Sequence, residues 1–91
     1  MIASYRHKGL KELAENGTSK KVRPDLHKRA RIRLFALMAA TDVKQLGQPG
    51  FDFHKLKGLP LRYSIHVNGP WCITFRWEGG SATEVDLVNY H

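Results

Sequence analysis

The sequence predicts an α+β domain of two layers, with helices packed on one face of an antiparallel sheet. Two observations predict it. Apolar residues in the first half recur at spacings of three and four, the period of a helix with one buried face. In the second half the period changes to two, and glycine-bearing turn signals divide the alternating runs. Such an arrangement buries one apolar stripe per helix against one face of the sheet.

The elements follow in order. Ile2-Ala3-Ser4-Tyr5 reads as a short strand. A helix is expected over His7–Glu15, where Leu10, Leu13 and Ala14 share a face, and Asn16-Gly17 suits its left-handed close. Thr18 to Arg23 is a basic loop. Pro24 and Asp25 open a second helix, proline being tolerated in a first turn where its missing N–H has no partner to lose. That helix runs to about Ala40. Leu26, Ala30, Leu34, Leu37 and Met38 form its apolar stripe, and Lys28, Arg29, Arg31 and Arg33 take much of the remaining surface. Thr41-Asp42 caps a further short turn, and Gln48-Pro49-Gly50 is a loop. Phe51–Leu56 alternates partly. Leu61–Val67 alternates well, with Leu61, Tyr63, Ile65 and Val67 on one side. Asn68-Gly69, a strong hairpin signal, leads into Trp71–Trp77, which puts Trp71, Ile73, Phe75 and Trp77 on one face. Glu78-Gly79-Gly80 turns into a last strand from Ala82 to Val88. These hairpin-linked strands make a three- to four-strand meander.

The 91 residues fit one domain, 1–91, with a modest core. No apolar run approaches a membrane span, and the first residues lack the apolar centre of a signal peptide, so a cytoplasmic protein is expected. One cysteine, Cys72, excludes an internal disulfide or a cysteine zinc cage and reads as a small packing residue in a strand. The net charge of +7 is concentrated: residues 1–41 hold ten basic and three acidic residues, and residues 42–91 hold five of each. That imbalance favours a polyanionic partner such as RNA, DNA, the ribosome or an acidic protein. A merely solvated helix face would look the same.

Phosphate-binding glycine loops, dinucleotide fingerprints and the nucleophile elbow are all missing, and the acids form no two-metal cluster. A nuclease built from this sequence would work with side chains alone, without metal or cofactor. RNA permits this because its 2′-hydroxyl is a built-in nucleophile. The protein needs a base, an acid and cations around the phosphate. Of five histidines, His7 and His27 sit among Lys and Arg and are assigned no chemistry. His54 stands beside Lys57 and a glycine turn, an arrangement suited to bracketing a phosphate. The terminal Asn89-Tyr90-His91 makes chemical sense if the last strand pins it, with the terminal carboxylate beside the His91 imidazole.

At these residues the chain resembles the HigB-type host-killing toxins of the RelE/ParE superfamily along essentially its whole length. The matching pieces are Tyr5-Arg6-His7-Lys8-Gly9-Leu10-Lys11, Leu37-Met38-Ala39-Ala40-Thr41, Pro49-Gly50 to His54-Lys55-Leu56-Lys57-Gly58, Ser64-Ile65-His66-Val67-Asn68-Gly69-Pro70-Trp71, Ile73-Thr74-Phe75-Arg76-Trp77 and Val85-Asp86-Leu87-Val88-Asn89-Tyr90-His91. The resemblance implies a RelE-like fold and a type II toxin that cleaves mRNA in the ribosomal decoding site by 2′-hydroxyl attack. It implies a cognate helix-turn-helix, HigA-like antitoxin and operator DNA bound through it. Carried over by position, the site residues are His54, Lys57, Asn89, Tyr90 and His91. Proton transfer falls to His54 and His91, charge stabilisation to Lys57, stacking or a phosphate hydrogen bond to Tyr90, and orientation of its neighbours to Asn89. The positive helical half, with Arg29 and Arg33, is expected to grip ribosomal RNA or the antitoxin.

Three positions depart from the family pattern. Asn89 stands where Asp is usual, and an amide cannot act as a proton-accepting base. Cys72 stands where a phosphate-binding Arg is usual, and His66 where Arg is common. Arg62 or Arg76 is expected to compensate. The competing reading is a RelE-fold toxin with weak or no nuclease activity that acts through its antitoxin and operator, or on a protein target as ParE-type toxins do. A plain basic nucleic-acid-binding domain is a third.

Overall fold

The computed structural model describes residues 1–90; His91 lies outside the described residues. Helices α1 (Lys8–Asn16) and α2 (His27–Ala39) precede four strands: β1 (His54–Lys55), β2 (Tyr63–Asn68), β3 (Trp71–Glu78) and β4 (Ser81–Asn89). The strands form one antiparallel sheet in chain order, β1-β2-β3-β4. Both helices lie on the same side of it, as the two periodicities require. Leu10 and Leu13 of α1 and Ala30, Leu34 and Leu37 of α2 meet Ile65, Val67, Ile73, Phe75, Ala82 and Val85 of the sheet in one buried core.

Local chemistry sets the helix ends. His7 Nδ1 accepts the Leu10 N–H at 3.3 Å and caps α1, and Gly17 closes it at φ 80°, a left-handed conformation that suits glycine. The imidazole of His27 bonds the Val22 carbonyl at 2.9 Å. Both histidines are thus occupied in fold-building hydrogen bonds. The second helix begins as a single 3-10 turn, Pro24–Leu26, before α2 proper. The amino-terminal ammonium donates to the Leu37 and Ala40 carbonyls, 3.1 Å each, placing a positive charge at the negative end of the α2 dipole. Asp42 caps a short 3-10 turn, Val43–Leu46, in a reciprocal capping box with Gln45.

Three expectations change. Residues 2–5 are no regular strand; they touch β4 through two parallel bridges, Ile2 to Ala82 and Tyr5 to Val85, which cover much of its edge. Leu61 is exposed and precedes β2, and β1 is cut to two residues after Asp52, whose φ is 47°. The third correction concerns α2. Its stripe includes Leu26, Ala30, Leu34 and Leu37, but Met38 is exposed, together with Ile32 and Phe35.

Arg33, expected on the solvated face as an RNA contact, points inward and is buried. Its Nε donates to the His66 carbonyl at 2.9 Å, its Nη2 donates to the Gly50 carbonyl at 3.3 Å, and its guanidinium lies 4.6 Å from the Phe51 ring centroid. His66 N donates to the Phe51 carbonyl at 2.6 Å in the same place. The guanidinium therefore satisfies carbonyls that helix and sheet leave over, and ties the loop before His54 to the end of β2. Replacing Arg33 with Ala removes charged hydrogen bonds from a buried site; urea unfolding should show a loss of about 2 kcal/mol.

Candidate active site on the open face of the sheet

The sheet face away from the helices carries polar side chains in register. His54 pairs with Ser64, Ser64 with Thr74, and Thr74 with Asp86, so one row crosses all four strands. The next row is His66, Cys72 and Val88. Directly opposed residues share a face, which places His54, His66 and Cys72 together on this side. Arg62 lies across the middle. Its Nη2 donates to Thr74 Oγ1 at 3.0 Å and to the Glu84 carbonyl at 2.8 Å, and its own carbonyl accepts from Leu56 N at 2.8 Å. Among the described residues, Arg62 Nη1 and the fully buried Ser64 Oγ have no hydrogen-bond partner.

Glu84 is the centre of the charge arrangement. The β3–β4 register slips between Thr74 and Arg76, opposite Glu84, whose φ is 50°. This bulge turns the carboxylate toward the arginines. Its N–H donates to Ser4 Oγ at 2.9 Å. The carboxylate accepts from Arg6 and from Arg76 Nη1 (3.0 Å), and Arg62 Nη1 stands 3.7 Å away. Hydrogen bonds from Arg76 and then Arg6 hold the Glu84 carboxyl below the ordinary carboxylate range. At Arg62, burial and then Arg6 work against the charged form and lower its pKa, while the Glu84 and Asp86 carboxylates oppose that shift.

Each expected site residue has a definite place except one. His54 is exposed on β1, its Nδ1 2.7 Å from the Asp52 carbonyl. A carbonyl only accepts, so Nδ1 carries the hydrogen and Nε2 of the neutral ring keeps its lone pair. Lys57 is exposed just beyond β1. Asn89 ends β4 opposite Trp71, and Tyr90 follows, exposed, with its N–H on the Pro70 carbonyl at 2.9 Å. His91 lies outside the described residues. His54 and Asn89 stand on opposite edge strands. Three strand spacings make that about 14 Å across, and Asn89 is three residues further along β4 than the His54 row. Arg62 is tied to the His54–Lys57 segment by the Leu56 N–H on its carbonyl. Arg76 is paired with Glu78 (2.8 Å) and Glu84, and Arg29 is exposed, with Nη1 3.3 Å from Asn68 Oδ1.

Sequence reasoning missed Glu84 and Arg6. Arg6 lies 78 positions from Glu84, and no spacing rule connects them. His66 was noted only as a departure from Arg; it sits on the open face with Nε2 3.0 Å from the Gly69 carbonyl. Among the described residues, no three His, Cys, Asp or Glu side chains gather as a metal-ligand set.

This topology and site can be set against known proteins. A family model described as the RelE-like toxin of the type II toxin–antitoxin system HigB matches residues 3–91. The chain belongs to the HigB-like toxin family. A relative named Endoribonuclease HigB, from Proteus vulgaris, is 38% identical over 92 residues, covering all of both chains. As a type II toxin, the protein has an antitoxin as its partner. Among the described residues, no helix of the toxin is long and apolar enough to cross a membrane.

The Glu84 hub has a pH signature. Its carboxyl titrates lower folded than unfolded, so its stabilising contribution is complete above the unfolded value and disappears as pH falls through the folded one. The urea midpoint of the toxin should drop between roughly pH 5 and pH 3, and Glu84→Gln should lessen that drop. Glu12, lowered by hydrogen bonds from Ser19 and then Lys21, acts in the same window. A Glu12→Gln/Glu84→Gln variant should show the flattest profile.

Proposed function

We propose that this toxin is a cytoplasmic, metal-independent endoribonuclease that cleaves mRNA in the decoding site of the ribosome, using the open face of the sheet as its active surface. Arg62 is the observation that carries this reading. One guanidinium is joined through its own backbone to the His54–Lys57 segment and bonded to Thr74 and Glu84. A phosphate lying there would meet a cation tied to the segment that carries His54 and Lys57. Membership of the toxin family and the endoribonuclease name of the Proteus vulgaris relative support the same reaction class.

In the proposed reaction the 2′-oxygen attacks the adjacent phosphorus and the bond from phosphorus to the 5′-oxygen breaks. The products are a 2′,3′-cyclic phosphate and a free 5′-hydroxyl. His54 acts as base: its Nδ1 is held by the Asp52 carbonyl, leaving the Nε2 lone pair to take the 2′-hydroxyl proton. His91 acts as acid toward the departing 5′-oxygen. Lys57 and Arg62 offset the charge that grows on the phosphate oxygens. Tyr90 stacks on a base or bonds the phosphate, and Asn89 orients the chain end. The exposed Arg29 adds to the attraction for ribosomal RNA. The antitoxin partner is proposed to be a HigA-like helix-turn-helix protein that also carries the pair to operator DNA.

The test is cleavage of mRNA on purified ribosomes with mapping of the new ends. His54→Ala should lower the rate by about 10²–10⁴ and Lys57→Ala by about 10²–10³, with folding unchanged. EDTA should leave the rate unaffected; loss on chelation would replace this mechanism with a metal-dependent one. Because Cys72 stands on the open face where the family pattern has Arg, Cys72→Arg should accelerate cleavage, by up to about 10²-fold. Growth arrest with intact mRNA would instead favour a ParE-type action on a protein target.

A further inference from the structure

The solvent side of α2 does not read as a solvated helix face. Lys28, Ile32, Phe35 and Ala39 are all exposed, and their spacing of four, three and four aligns them along one line of the helix. Ile32 is 47% exposed and Phe35 49%. Exposed Met38 flanks the line, and the Arg31 guanidinium lies 5.6 Å from the Phe35 ring centroid. At its far end the line runs into a hollow of about 320 Å³ lined by Ala36, Ala39, Ala40, Gln45 and Gln48. Small side chains there leave room for a larger one from outside. The other end is positive: Lys28, Arg29 and Arg31 are exposed and α2 contains no acidic residue. The apolar line lies away from the active surface, since α2 packs on the opposite face of the sheet.

We propose that this seam is the docking site for the antitoxin, which binds it with an amphipathic helix whose apolar residues cover Ile32, Phe35 and Ala39 and whose acidic residues face Lys28, Arg29 and Arg31. A seam of apolar residues at helical spacing with one charged end is what a helix laid along a groove requires. The charges select the partner. RNA would be served by cations throughout, whereas the centre of this patch is Ile, Phe and Ala. A second copy of the chain would bring two bodies of net charge +7 together, with no acid in either α2 to offset them. An acidic helix complements both parts. The inference rests on membership of a type II toxin family and not on the cleavage mechanism.

The experiment uses the full-length toxin and the antitoxin encoded with it, titrated against each other by calorimetry. Ile32→Glu/Phe35→Glu should weaken binding about 30-fold or more and should abolish rescue of growth by the antitoxin. Ala39→Trp, which blocks the seam without adding charge, should do the same. Lys28→Glu/Arg31→Glu should weaken binding and reduce its dependence on salt. Each variant should retain wild-type circular dichroism, and the Ile32→Glu/Phe35→Glu and Ala39→Trp variants should retain the ribosome-dependent cleavage of the free toxin. Unchanged antitoxin affinity in the first two variants overturns the proposal. So does unchanged affinity accompanied by a dimer-to-monomer shift in sedimentation, which assigns the seam to a second copy. Unchanged affinity with lost ribosome association overturns it in favour of an RNA surface. If cleavage fails in every form, including wild type, the nuclease reading falls while the binding result still decides this one.

Discussion

Two helices cover one face of a four-stranded sheet, and among the described residues no helix covers the other. That constraint organises the molecule. The covered face takes Ile65, Ile73, Phe75 and Val85 into the core, and the alternation of the strands then forces Ser64, His66, Cys72 and Thr74 to the open side. A polar surface on a rigid sheet is the consequence, and it is where a charged ligand can be held by side chains whose backbone cannot yield.

The open face keeps its charges in order through one carboxylate. Arginines that converge on one area repel one another, and Glu84 reduces the cost by accepting from Arg6 and Arg76 while standing close to Arg62. A regular strand would put this side chain elsewhere. The bulge, with its left-handed residue, is the local strain that aims it. Arg62 then connects this hub to the segment bearing His54, and Arg33 fastens the loop before that segment from the core side. The two arginines act from opposite sides of the sheet and serve one end, the position of the loop between α2 and β2.

Much of the architecture was legible because local rules suffice for it. The hairpin at Asn68-Gly69 and the stop at Asn16-Gly17 each depend on residues adjacent in the chain, and both occur as read. The candidate site was legible only in pieces. His54 and Lys57 could be read from their neighbours, but the meeting of Arg6 and Arg62 at Glu84 joins segments from distant parts of the chain. Arg33 and Met38 were assigned the reverse of their true environments. Hydropathy sends arginine out and methionine in, yet a guanidinium that can satisfy two carbonyls and lie against an aromatic ring is accommodated inside, and a methionine at the margin of the apolar stripe lies exposed.

By itself the sequence determined the helical first half, the alternating second half, the turns between the strands and the strongly positive charge, because each depends on residue type and short-range spacing. The tertiary structure alone decided which face of the sheet is open, that Glu84 gathers arginines from three segments, that His54 and Asn89 occupy opposite edges, and that Arg33 lies inside. Those outcomes depend on strand order, register and a single bulge. Contacts between residues tens of positions apart leave no period or motif in the chain, since only folding brings them within range of one another.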